Sequence, residues 1–164
     1  MTIAITDANI FIDLCYLDLL HLLFSLEYEM IVTAEVLEEL NPVQQNKLAS
    51  YITKGQLQVY AFSTDEVIAL TAFHISSALS YSDHSVLFLA RKLAAVVLSG
   101  DNRLRSECAR QHIPVHGILW VFDMSIDKQQ INKREAAGKL EALMQFNKRL
   151  PLPECNRRLE QWRH

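Results

Sequence analysis

Acidic residues recur where the chain leaves its short apolar runs. Asp7 closes the run 2–6, and Asn9 follows two residues later. Glu35, Glu38 and Glu39 follow the run 30–33, and Asp101 follows the run 95–99. Asp83 opens the apolar segment just ahead of that last run. Carboxylates gathered without basic partners repel and raise one another's pKa. A divalent cation relieves the repulsion, and ligands that are all oxygen select hard ions such as Mg²⁺ or Mn²⁺. Such ions activate water and stabilise the attacking and leaving oxygens of a phosphodiester. The residue types therefore point to phosphodiester hydrolysis rather than ester or peptide hydrolysis. Which glutamate would take part stays open, since Glu35 and Glu39 are four apart and share a helix face.

These acids meet only if the elements bring them together. The spans 2–6, 30–33, 57–62, 95–99 and 113–115 read as short strands. Helical patterns cover 9–26, 34–40, 43–54, 65–79, 83–93, 102–111 and 133–149, with a last short helix reaching residue 163. The span 118–122 suits either state. Asn41-Pro42 ends one helix, and Ser63 or Thr64 caps another. Strands that alternate with helices predict an α/β fold, a parallel sheet with helices on both faces and right-handed crossovers. In such sheets the site lies at the carboxyl ends of the strands, where these acids fall. A Rossmann or P-loop phosphate site needs glycines there, and the chain has only Gly55, Gly100, Gly117 and Gly138.

The 164 residues predict one core domain, 1–126, with a helical extension, 127–164, packed on it. The formal net charge of -3 hides an asymmetry. Residues 1–126 carry 7 basic and 14 acidic side chains, and residues 127–164 carry 9 basic and 5 acidic. The extension is thus a candidate surface for a polyanion. Cys15, Cys108 and Cys155 form no metal-binding or disulfide pattern, and no signal segment or membrane span is evident, so a cytoplasmic location is the expectation. His84 flanks Asp83 without a partner histidine, while His21, His74, His112 and His116 are scattered.

The ordered motifs resemble the PIN-domain family. ITDANIFIDL over 5–14 resembles its opening motif and VLEEL over 36–40 its second acidic motif. SDHSVLFLA over 82–90 and VLSGDNRLR over 97–105 are similar to the third and fourth, and IPVHGILW over 113–120 resembles the strand and turn that follow. The resemblance covers roughly residues 3–122. It implies a three-layer α/β/α sandwich with a central parallel sheet and a metal-dependent nuclease, usually acting on RNA. Many such proteins are VapC-like toxins of toxin–antitoxin pairs. Carried over, Asp7, Glu39, Asp83 and Asp101 would be the catalytic, metal-binding acids for Mg²⁺ or Mn²⁺. Asn9 would orient Asp7, and Ser99, where threonine is common, would line the pocket.

Arg103 and Arg105 follow Asp101 and are candidates for gripping phosphates. Asp7 and Asp83 each also suit helix capping, with Ser82 competing for the second cap, and Asp101 after Gly100 also suits a turn. The expected partners are an RNA substrate, an antitoxin protein and a second copy of the chain; no membrane is expected. Two other readings compete with the ribonuclease. One is a catalytically weak interaction module, motivated by the apolar length of 9–26. The other is a nuclease of related fold that acts on DNA.

Overall fold

The computed structural model describes residues 1–75 and 78–164. Five strands form one parallel sheet: β1 Thr2–Thr6, β2 Tyr28–Thr33, β3 Leu57–Tyr60, β4 Val96–Leu98 and β5 Val115–His116. Their spatial order is β3-β2-β1-β4-β5. The sheet grows one way from β1 to β3 and then restarts on the other side with β4. The reversal lies between β1 and β4, where Thr6 pairs with Leu98. A crevice opens at the carboxyl edge of such a reversal.

Helices cover both faces: α1 Ala8–Leu17, α2 Leu20–Phe24, α3 Ala34–Glu39, α4 Pro42–Thr53, α5 Thr64–Ile75 and α6 Tyr81–Leu93. They are followed by α7 Asn102–Arg110, α8 Ile118–Asp127, α9 Lys133–Phe146 and α10 Leu152–Trp162. The three-layer α/β/α expectation holds. Buried Ala4, Ile5, Ile31, Val32, Val97 and Leu98 supply the sheet's part of the core. Ala136, Leu140, Leu143, Cys155, Leu159 and Trp162 of α9 and α10 join the same hydrophobic cluster. The amphipathic spacing of those two helices is thereby spent against the sheet domain.

Several expected boundaries move, each for a local reason. The helix expected over 9–26 breaks at Asp18, which adopts a left-handed backbone at φ 56°. Aspartate tolerates that region better than most residues do. The Leu19 N–H then closes onto the Leu14 carbonyl at 2.9 Å, and α2 starts afresh. Asn41 does more than precede a proline. It forms a capping box with Gln44 and starts α4, with Pro42 in the first turn. Span 118–122 resolves as helix. The helix expected over 65–79 crosses residues 76–77, which lie outside the described residues; 78–79 are not helical.

The helix expected from Asp83 begins two residues earlier, at Tyr81. Ser80 is its N-cap and Asp83 its third residue, and each side chain accepts from the other's backbone N–H. Asp83 is therefore not the cap. The Ser80–Asp83 spacing is itself a capping-box signature in the sequence. Cys15, Cys108 and Cys155 are free and buried. No helix among the described residues is long and apolar enough to cross a membrane.

Candidate active site

The chain leaves β1 directly into Asp7, which ends the strand and caps α1. Its Oδ1 accepts from the Ala8 N–H at 2.9 Å. Its backbone N–H donates to the Leu98 carbonyl at 2.9 Å, which locks the ends of β1 and β4 together. Asp7 Oδ2 accepts from Ser99 Oγ at 2.8 Å and from Asn9 Nδ2 at 2.9 Å. Ser99 Oγ in turn accepts from the Asp101 N–H at 3.1 Å. Asn9 Oδ1 accepts from the Gly100 N–H at 2.8 Å. The loop after β4 is therefore fastened to the end of β1 by two side chains, Ser99 and Asn9.

Asp101 caps α7 through Oδ1, which accepts from the Leu104 N–H at 2.9 Å. Its Oδ2 accepts no hydrogen bond among the described residues and belongs to a carboxylate that lines the groove. Asp83 lines the same groove from the first turn of α6. Glu39, exposed at the end of α3, accepts from Ser82 Oγ. Thr33, the N-cap of α3, ties these two helices together. Its hydroxyl is 2.8 Å from Ser85 Oγ, so the end of β2 is pinned to the first turn of α6.

Burial pushes the Asp7 carboxyl up to about 6, against the donors Ser99 and Ala8, which pull it down. The charges of Asp83 and Glu39 raise it further. Asp83 is also raised, first by burial, with the charge of Asp101 adding to it and Ser80 opposing. Asp83 and Glu39 thus act on Asp7, and Asp101 acts on Asp83. Glu39 is the glutamate whose charge reaches Asp7, whereas Glu35 is raised by burial and by its neighbour Glu38. The acids form a charge cluster rather than a closed cage. No three acidic, histidine or cysteine side chains among the described residues stand close enough to hold one ion. Glu39, Asp83 and Asp101 each instead commit one carboxylate oxygen to accept from the Ser82 hydroxyl, the Ser80 N–H and the Leu104 N–H, respectively.

Arg103 is exposed and lines the groove, making no side-chain hydrogen bond or ion pair among the described residues. Arg105 lines the groove as well, half-buried, with one nitrogen turned inward. Its Nη1 donates to the Ser99 carbonyl at 2.9 Å, and it lies so close over Gly117 that a Cβ there would meet it at 3.2 Å. Arg105 therefore braces the β4 loop. Asp13, on α1, also lines the groove; it is buried, accepts from Asn147 at 3.1 Å, and burial pushes it up to about 6.

Ser80, Thr33 and Ser85 were not among the residues expected to matter. The capping-box spacing betrays Ser80, but Thr33 and Ser85 are 52 residues apart and carry no local signal. His116 stacks on Trp120, with ring centroids 4.4 Å apart, and both line the groove. The side chain of His74 lies outside those described.

A parallel sheet of order 3-2-1-4-5, covered by helices and with carboxylates at its reversal point, defines an α/β/α sandwich with an acidic carboxyl edge. Residues 3–164 match the family model DUF3368, described as a PIN domain, and the chain belongs to that family. PIN domains are generally nucleases and usually use divalent metal ions. The match runs through α9 and α10 as well as the sheet. No curated protein matches the chain.

Proposed function

We propose that this protein is a metal-dependent endoribonuclease. The single observation that carries the reading is the placement of Asp7 and Asp101 at the β1/β4 reversal, near enough to the other acids that Asp83 and Glu39 raise the Asp7 carboxyl and Asp101 raises Asp83. The donor set fits a hard dication, because it is all oxygen and carries negative charge in excess. Asp7, Glu39, Asp83 and Asp101 stand too far apart to share one ion and would have to draw together, through oxygens such as the unbonded Oδ2 of Asp101, to hold Mg²⁺ or Mn²⁺. When bound, the ion would supply an activated water and charge stabilisation at the phosphorus.

The chain's own groups do the positioning. Ser99 and Asn9 hold Asp7 Oδ2 from two sides and fix its orientation. Ser99 also sets the Asp101 backbone, and Arg105 holds the Ser99 carbonyl from behind. Burial of Asp7 keeps bulk water from screening its charge. Preorganised groups of this kind cost no rearrangement as charge develops.

Cleavage of a labelled single-stranded RNA in Mn²⁺ and in EDTA tests the reading. Asp7→Asn and Asp101→Asn should each abolish Mn²⁺-dependent cleavage while the circular dichroism spectrum stays native. Unchanged cleavage by both variants would contradict it. A DNA strand of the same sequence, cleaved faster than the RNA, would redirect the reading to DNA.

The interaction-module reading rested on the apolar run 9–26. Ile10, Phe11, Leu14, Leu17, Leu22 and Leu23 of that run are buried in the chain's own core. Its apolarity is accounted for by folding, so it supplies no support for an antitoxin or dimer surface.

A further inference from the structure

Asp83 and Asp101 line one part of a groove of about 1360 Å³. A small-molecule pocket holds roughly 300–1,000 Å³, so this groove suits a polymer better. Its walls come from two parts of the chain. The sheet domain gives Asp83, Asp101, Arg103 and the His116–Trp120 stack, and the turn between α9 and α10 gives Arg149.

The groove's arginines differ in what they already hold. Arg158 is committed to Asp123, with Nη2 at 2.7 Å from Oδ2 and Nε at 3.0 Å from Oδ1. Arg105 is committed to the Ser99 carbonyl. Arg103 and Arg149 are exposed and make no side-chain hydrogen bond or ion pair among the described residues. A free guanidinium presents a planar fork that matches phosphate oxygens. The fork of Arg149 is delivered by a well-anchored turn. The Arg149 N–H donates to Asn147 Oδ1 at 3.0 Å, and Asn147 Nδ2 donates to Asp13 on α1 at 3.1 Å. Leu150, next in sequence, is buried.

The aromatic pair adds a second kind of contact. His116 and Trp120 are nearly parallel, 10° apart, and Tyr28 meets Trp120 edge-on at 5.4 Å. The indole is thus held in one orientation. An unpaired base stacks on such a surface whatever its sequence, and a charged groove tracks the backbone between stacked bases.

We propose that the C-terminal extension is a substrate-binding wall. Arg149, with Arg103, grips backbone phosphates of single-stranded RNA flanking the acidic site, and the His116–Trp120 stack receives a base. This rests on the ribonuclease reading for the choice of ligand. Because it concerns binding, it can fail while metal-dependent cleavage survives, and the reverse is equally possible.

The test is fluorescence anisotropy of a labelled 12-nucleotide single-stranded RNA with the full-length protein in EDTA, repeated over a salt series. Arg149→Ala should weaken binding about ten-fold and lower the salt slope by about one. Arg134→Ala, at an exposed position of α9 outside the groove, should bind as the wild type does. Binding should also quench tryptophan emission in a Trp162→Phe background, where Trp120 is the remaining indole. Equal affinity in the wild type, Arg149→Ala and Arg134→Ala overturns the proposal. So does binding without quenching, or no binding by the wild type. Mn²⁺-dependent cleavage, measured separately, judges the ribonuclease reading in each case.

Discussion

The hydroxyl of Ser99 donates to the Asp7 carboxylate at 2.8 Å, across the seam between the fourth and first strands. The same oxygen accepts the Asp101 backbone N–H, so one buried serine positions two of the four acids. Removing it should therefore disturb catalysis more than binding. A lost hydrogen bond to a charged group is worth about 1.5–3 kcal/mol, which corresponds to a roughly 10–100-fold slower chemical step. Ser99→Ala should show that loss in single-turnover cleavage, with KM nearly unchanged. Ser99→Thr keeps the hydroxyl and should retain most of the rate. Wild-type turnover in Ser99→Ala would contradict the positioning role.

Asn9 is the second fastening. Asn9→Ala leaves Asp7 with one fewer donor and the Gly100 N–H without its acceptor. Urea unfolding should register a loss of about 1–2 kcal/mol. Asn9→Asp should be worse near neutral pH, because it replaces the donor with a second carboxylate beside Asp7. Its deficit should shrink as the pH falls and the pair takes up a proton. A deficit independent of pH would argue against direct contact with Asp7.

Two buried acids give the metal-free protein an unusual pH dependence. Asp7 and Asp13 both titrate near 6 in the folded chain, above the ordinary aspartate value of 3.8. The folded state then binds more protons than the unfolded state between about 4 and 6. Stability should accordingly fall as the pH rises through that window and level off above it. Asp13→Asn should remove part of the fall and be more stable than the wild type by roughly 1–2 kcal/mol at pH 7. Glu66 and Glu107, held near 2, act in the opposite sense: their contribution is present above about 4.5 and lost as the pH drops further. Thermal melts in EDTA from pH 3 to 8 check both limbs. A flat wild-type profile between 4 and 6 would contradict the burial of these acids.

The three glutamates of α3 should separate cleanly. Glu39 is the one whose charge reaches Asp7 and that accepts from Ser82 Oγ. Glu39→Gln should weaken Mn²⁺ binding at least about ten-fold, in line with losing an anionic ligand. Glu35→Gln and Glu38→Gln should leave it within about two-fold by the same reasoning. Calorimetric titration with Mn²⁺ decides, and a larger effect from Glu35 would reassign the second acid.

Much of this architecture was legible in the residues themselves. The alternation of apolar runs and helical patterns pointed to the layers, and the positions of Asp7, Glu39 and Asp101 after strands, with Asp83 opening a helix before the fourth, pointed to the carboxyl edge. Those signals are local, so they survive reading one segment at a time. The break at Asp18 was harder, because an apolar run reads as continuous helix unless the left-handed tendency of one aspartate outweighs it. The inward turn of Arg105 was out of reach. Its partners, the Ser99 carbonyl and Gly117, come to it only once the fourth and fifth strands pair. The same holds for Arg149, which meets the groove solely because the last two helices fold back on the sheet domain.

The central claim is that Asp7, Glu39, Asp83 and Asp101 jointly hold a divalent ion. Crystals soaked in Mn²⁺ and measured for anomalous scattering test it most directly. The account predicts a peak at the carboxyl edge between the first and fourth strands, bonded to oxygens of Asp7 and Asp101 and reached by Glu39 or Asp83. No peak there at saturating Mn²⁺, or peaks confined to other surface carboxylates, would contradict it.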